Sequence, residues 1–180
     1  MTMLVIVGFA AFVLWVSVRS MNRDKAIREQ AAAIRVRVRE AHGIEDIFVS
    51  PANGSYVGLS GDGLRVVLRG PGEERLLPMC EVLAIEGVRD DVVLVRADRA
   101  SDPDPPPVSD RTPADLPERI RWLGLRFLLK EGDEEDEEYV VLFFDGGKHG
   151  VEPVNAAFRR QAAETEAWFR RLTNAIRLAA

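Results

Sequence analysis

The chain has 180 residues, 47% apolar and 29% charged, and a net charge of −5. This is the balance of one ordinary globular domain, long enough to bury a core without disulfides. The single cysteine, Cys80, excludes an intramolecular disulfide and fits a reducing compartment, with its side chain expected as a small buried hydrophobe.

The first expected element is a membrane-spanning anchor over residues 1–18. No charged side chain occurs there, and Leu4, Val5, Ile6, Val7, Phe9, Phe12, Val13, Leu14, Trp15 and Val16 make it strongly apolar. At ~1.5 Å per residue it spans about 27 Å, close to the hydrocarbon core of a bilayer. Trp15 lies near one end, where an indole suits the interface. A cleaved signal peptide fits less well. No Lys or Arg precedes the apolar run, and Trp15-Val16-Ser17-Val18-Arg19 is a poor cleavage site.

Residues 19–43 read as a basic helical stalk. Between Arg19 and His42, seven basic residues face three acidic ones, so the positive-inside rule puts the C-terminal side in the cytoplasm and the N-terminus outside. Ile27, Ile34 and Ala41 repeat at seven, with Ala31 and Val38 on the same face. The expectation is a helix continuing from the anchor, packed on the domain or self-associating as a coiled coil, and stopped at Gly43. Basic residues are overwhelmingly Arg, with Lys only at 25, 130 and 148, which suggests a GC-rich bacterial genome. The location that follows is the bacterial cytoplasmic membrane, single-pass.

From Ile44 the period shortens. Ile47-Phe48-Val49 and Tyr56-Val57-Gly58-Leu59-Ser60 flank the turn cluster at Pro51–Gly54. Gly61-Asp62-Gly63 then makes a hairpin with Leu64–Arg69. Leu76-Leu77-Pro78-Met79 is a weaker strand, and Pro78 argues for an edge or an end. Val82–Val88 and Val92–Arg96 follow around Arg89-Asp90. Residues 98–118 hold six of the ten prolines and read as a Pro-rich flexible loop inside the domain.

Two longer strands, Ile120–Leu129 and Tyr139–Phe144, enclose the acidic run that ends in Glu134, Glu135, Asp136, Glu137 and Glu138. This run is expected as a solvated hairpin tip that discourages edge pairing, and it is also the candidate protein-interaction surface. Val154, Phe158, Ala162, Thr165, Phe169, Leu172, Ile176 and Ala179 recur at steps of four and three. They describe an amphipathic helix of about 26 residues with Pro153 in its first turn. The fold class is α+β: a transmembrane helix and stalk, then about seven antiparallel strands in a twisted sheet or partly open barrel, closed by the long C-terminal helix.

The opening Phe48-Val49-Ser50-Pro51, then Gly58–Leu68, the strand at Met79–Glu86 and the closing helix with Ala167-Trp168-Phe169-Arg170-Arg171-Leu172 resemble the bacterial pleckstrin-homology-like (PH-like) domains. The resemblance covers most of residues 44–180. It implies a binding scaffold rather than an enzyme. Members that bind phosphoinositides use basic residues in an early hairpin loop. The matching loops here, at 52–55 and 70–74, contain no Lys or Arg, so no binding residue carries over.

No chemistry-bearing motif emerges, so catalytic, cofactor-binding and metal-binding residues are all expected to be none. His42 and His149 lack Cys or His at ligand spacing. Gly146-Gly147-Lys148-His149 lacks the spacing of a phosphate loop. Residues 43–180 carry 17 basic and 26 acidic residues, a balance that excludes nucleic acid as a partner. The functional expectation is a membrane-anchored, non-enzymatic interaction or scaffold module that binds a membrane-associated protein. The alternative is a small-ligand or lipid-binding module with a pocket between the sheet and the C-terminal helix.

Overall fold

The computed structural model describes residues 2–70, 72–100, 118–130 and 137–179; within the first helix, the side chains of 2–14, 16–17, 20 and 23–24 are not described. The order is α1 (Thr2–His42), β1 (Asp46–Val49), β2 (Tyr56–Leu59), β3 (Arg65–Arg69), β4 (Glu74–Pro78), a 3-10 turn (Met79–Glu81), β5 (Val82–Arg89), β6 (Val92–Asp98), β7 (Trp122–Leu129), β8 (Glu137–Asp145) and α2 (Ala156–Leu178). The architecture is α+β. In place of the single sheet or barrel of about seven strands, the described residues form eight strands in two antiparallel four-stranded sheets. Their orders are β1-β2-β3-β4 and β6-β5-β7-β8.

The first sheet is an up-and-down meander. The β2–β3 turn is built as its glycines indicate: Gly63 has φ +72°, and Ser60 Oγ donates to Asp62 Oδ1 at 2.5 Å. Asp62 Oδ1 also accepts from Leu64 N at 3.0 Å. Pro78 sits at the last position of the edge strand β4, where its missing N–H costs no ladder bond.

In the second sheet β5 is central, paired with β6 on one side and β7 on the other. The β5–β6 turn is two residues, Asp90 and Asp91, with φ of 49° and 69°. Aspartate is one of the few L-residues that tolerates this region, and the primed turn it makes matches the twist of the strands.

The main core lies between the sheets and α2. Phe48 of the first sheet stacks on Phe143 of the second, with ring centroids 3.8 Å apart and planes 7° apart. The helix contributes Ala162, Trp168, Phe169, Leu172, Ala175 and Ile176 to the same cluster. It starts two residues later than its stripe suggests, because Asn155 is the N-cap: Asn155 Oδ1 accepts from Ala157 N and Phe158 N at 2.9 and 3.2 Å. Pro153 therefore precedes the helix, and Val154 is 64% exposed. Trp168, absent from the stripe, is buried beside Phe169.

Cys80 is exposed, contrary to expectation. The 3-10 turn gives the inward position to Met79, which is fully buried, and turns Cys80 out. The acidic run also differs. Residues 131–136, including Glu134, Glu135 and Asp136, lie outside the described residues. Glu137 and Glu138 are not a free tip; they are the first residues of β8, in register with Leu129 and Leu128. Residues 101–117 of the Pro-rich loop also lie outside the described residues.

Helix α1 runs unbroken to His42. Gly43, with φ +67°, ends it and donates its N–H to Arg39 O at 2.8 Å. Among the described residues no helix is long and apolar enough to cross a membrane. The anchor candidates Leu4 to Val16, apart from Trp15, have side chains outside the described set.

Candidate functional site: an apolar groove and a docked stalk

On an antiparallel sheet with one face in the core, the other face ordinarily carries polar residues. The outer face of the second sheet departs from this. Strand register places two rows across it. The first is Val93–Val88–Gly124–Leu142, and the second is Arg96–Glu86–Arg126–Val140.

Gly124 leaves a gap in the first row. A Cβ there would lie 2.7 Å from the Val141 carbonyl oxygen, so the β7–β8 spacing requires glycine at this position. The resulting groove has a volume of about 410 Å³. It is floored by Val88, Val140 and Leu142 and walled by Trp122 and Arg126, with Asp91, Arg121, Glu138 and Asp145 on its rim.

The second row is held rigidly. Glu86 has a side chain only 6% exposed, and its carboxylate accepts from Arg126 Nε at 2.8 Å and from Arg96 at 3.2 Å. Arg126 also reaches Glu138 at 3.6 Å. Glu137 pairs with Arg75 of β4, tying the two sheets together. Of the two acidic candidates among the described residues, Glu138 lines the groove and Glu137 does not.

Trp122 is positioned from the β5–β6 turn. Asp90 Oδ1 accepts from both Arg121 N and Trp122 N at 2.9 Å, and Asp90 N donates to Trp122 O at 3.2 Å. Burial pushes the neighbouring Arg89 guanidinium below its ordinary value, with the Asp90 charge opposing.

The second functional feature is how α1 joins the domain. Ala31, Ile34 and Val38 pack with Ile44, Ile47, Val49, Tyr56 and Val67 on the outer face of the first sheet. Gly58 permits this: an added Cβ would meet Val67, Ile44 and Ile47 at 2.8, 3.0 and 3.2 Å. A polar clasp closes the contact. Glu74 accepts from Arg37 at 2.9 Å, from the His42 Nε2–H at 2.6 Å and from the Tyr56 hydroxyl, while Arg37 also donates to Tyr56 Oη at 2.7 Å.

The clasp shifts both acids. Burial alone would raise the Glu74 carboxyl, but hydrogen bonds from Tyr56 and His42 and the Arg37 charge outweigh it and hold the group below its ordinary value. Burial first, and then the Glu74 carboxylate, push the Tyr56 phenol up to about 12.

The signs give a pH window. A depressed carboxyl stabilises the folded state above its ordinary value of 4.5, and that contribution is lost as pH falls. A raised phenol contributes fully below 10 and loses its contribution as pH climbs through about 12. Melting temperatures across pH check this. The gap between the parent and Glu74→Gln closes as pH falls below 4.5, and above 10 the parent loses ground to Tyr56→Phe. A Glu74→Gln gap that persists unchanged in acid counts against the clasp.

Two further clefts among the described residues border α2. One, of about 660 Å³, lies at the C-terminal end of α2 between Asp46, Leu59, Asp62 and Leu178. The other, of about 350 Å³, lies between α1 and α2 beside Phe48 and Gln161. Between the sheets and α2 the space expected for a ligand is occupied by Trp168, Phe169, Leu172 and Ile176. No group of three or more His, Cys, Asp or Glu able to hold a metal occurs among the described residues.

No protein-family model, curated protein or solved structure matches the chain.

Proposed function

We propose that this chain is a membrane-anchored, non-enzymatic binding module of the PH-like kind. Its apolar N-terminus holds it in the bacterial cytoplasmic membrane with the domain on the cytoplasmic side, and the groove over Gly124 receives a membrane-associated protein. The observation that carries this reading is the groove itself: a half-buried tryptophan and three aliphatic side chains on the face of a sheet that solvation would ordinarily make polar. An aromatic wall next to an arginine fixed by Glu86, inside a charged rim, is the composition of a binding hot spot.

Several features support the remainder. Residues 1–18 are free of charge, and basic residues follow them at once. Eight strands followed by a covering helix suit a PH-like scaffold. The rim acids Asp91, Glu138 and Asp145 outnumber Arg121 and Arg126, which favours a partner segment with a basic residue beside its apolar anchor.

A photo-crosslinking residue at Val140 in the full-length chain, expressed in cells, tests the proposal. A discrete crosslinked partner is expected there and not at the exposed Arg159 on α2. Adding Trp122→Ala should weaken its capture about thirtyfold, the equivalent of a hot-spot loss of about 2 kcal/mol. Equal products at both positions, or capture indifferent to Trp122, would remove the groove from the function.

A further inference from the structure

We infer that α1 is a rigid spacer that holds the domain at a fixed height and tilt above the membrane; this rests on the anchor reading of residues 1–18. Three observations carry it.

The first is continuity. One helix of 41 residues runs from Thr2 to His42, with no glycine or proline between Phe9 and His42. Sharp helix kinks arise at proline, at Gly/Ser pairs, at π-bulges or at inserted groups, and the uniform α assignment leaves no hinge in this stretch.

The second is the length of the docked part. Gln30 lies against the β1–β2 turn at Gly54, Val38 is fully buried, and His42 closes on Glu74. From Gln30 to His42 the contact extends about 18 Å along the helix axis at ~1.5 Å per residue. A rod gripped over that length cannot pivot on its support without unpacking Ala31, Ile34 and Val38 together.

The third is the brevity of what remains. Ile27 and Arg28 already line clefts against the domain, so residues 19–26, about 12 Å of helix, are all that separates residues 1–18 from this docked part. This piece carries Arg19, Arg23 and Lys25 against Asp24. Anionic headgroups attract it, while the domain, with its excess of acidic residues, is repelled. Attraction of the stalk and repulsion of the domain act in the same sense and keep the spacer upright. A partner would then have to present its segment at the height of the groove, which selects membrane proteins by geometry as well as by contact.

The test uses the full-length chain in vesicles of phosphatidylcholine with a minor fraction of phosphatidylglycerol. Cys80, the single and exposed cysteine, takes a donor fluorophore, and the vesicles carry an acceptor lipid. A seven-residue Ala/Glu/Lys insert between Met21 and Asn22 adds about two helical turns. It should carry the donor outward by about 10 Å with nearly the same azimuth, and lower the energy transfer accordingly. A seven-residue Gly/Ser insert should instead give a broad distribution of distances. The inference is overturned if the helical insert leaves transfer at the parental level, or if the two inserts behave alike. A chain that fails to float with the vesicles overturns the anchor reading and the spacer with it; a chain that floats but shows no dependence on the insert overturns the spacer alone.

Discussion

Phe169→Ala is expected to lower the unfolding free energy by about 3–5 kcal/mol, the range for emptying a fully packed aromatic site. Phe169 is 1% exposed and sits on α2 between Trp168 and Leu172, which are 2% and 0% exposed. The surrounding groups have little freedom to close the cavity. Phe48 and Phe143 are stacked across the two sheets, Phe144 meets Phe158 edge-on at 5.4 Å, and the Asn155 cap fixes where the helix begins. Chemical denaturation of the parent and variant measures the loss. The exposed Arg159→Ala serves as control and should stay within about 0.5 kcal/mol. A loss for Phe169→Ala below about 1 kcal/mol would mean that α2 is not seated in the core.

Val38→Asp is expected to undock the stalk at a cost of about 3 kcal/mol or more. A carboxylate at a fully buried site inside an apolar cluster must either lose its charge or force the helix off the sheet. The cluster around Val38 lies on the outer face of the first sheet, separate from the main core. The damage should therefore be local. Hydrogen exchange should show protection lost over residues 31–42 and over the facing strands β1 and β2. Strands β5, β7 and α2 should keep theirs, in line with cooperative units that open independently. Unchanged protection of residues 31–42 would show that the docked helix does not depend on Val38.

The two variants probe elements that differed in how far sequence revealed them. Helix α2 was legible because its stripe repeats at helical spacing over six turns. The stripe does not show where the helix starts, which an asparagine cap two residues past Pro153 sets, nor Trp168, which lies one residue off it yet still on the buried arc. The strands were legible as runs broken by Gly, Pro and Asp. Their grouping was not, because β7 pairs with β5 across a connection of more than twenty residues. Nothing in a local pattern encodes such a partner.

The acidic run shows the same limit. Consecutive carboxylates look like a solvated tip. Glu137 and Glu138 nevertheless enter β8, because Arg75 and Arg126 on neighbouring strands supply counter-charges. Cys80 faces outward for a related reason. A one-turn 3-10 segment reverses which of two adjacent residues faces inward, and neither Met79 nor Cys80 is polar enough to signal the choice. Of the groove, the sequence singles out Glu138 alone and gives no sign of Gly124 and Trp122. Their meaning depends on the Val141 carbonyl behind one and the Asp90 carboxylate behind the other.

Sequence by itself determined the apolar N-terminal run, the uninterrupted helix that follows, the positions of the turns and the apolar face of α2. Each of these is a property of neighbours along the chain: hydropathy, spacing, or the φ preferences of Gly, Pro and Asp. Only the tertiary structure decided that the stalk is clasped to the first sheet through Glu74, and that the second sheet turns an apolar groove outward. It alone also decided that Glu137 and Glu138 belong to β8. Those outcomes depend on groups far apart in sequence meeting across sheets, where burial and charge pairing are set by the partner and not by the residue.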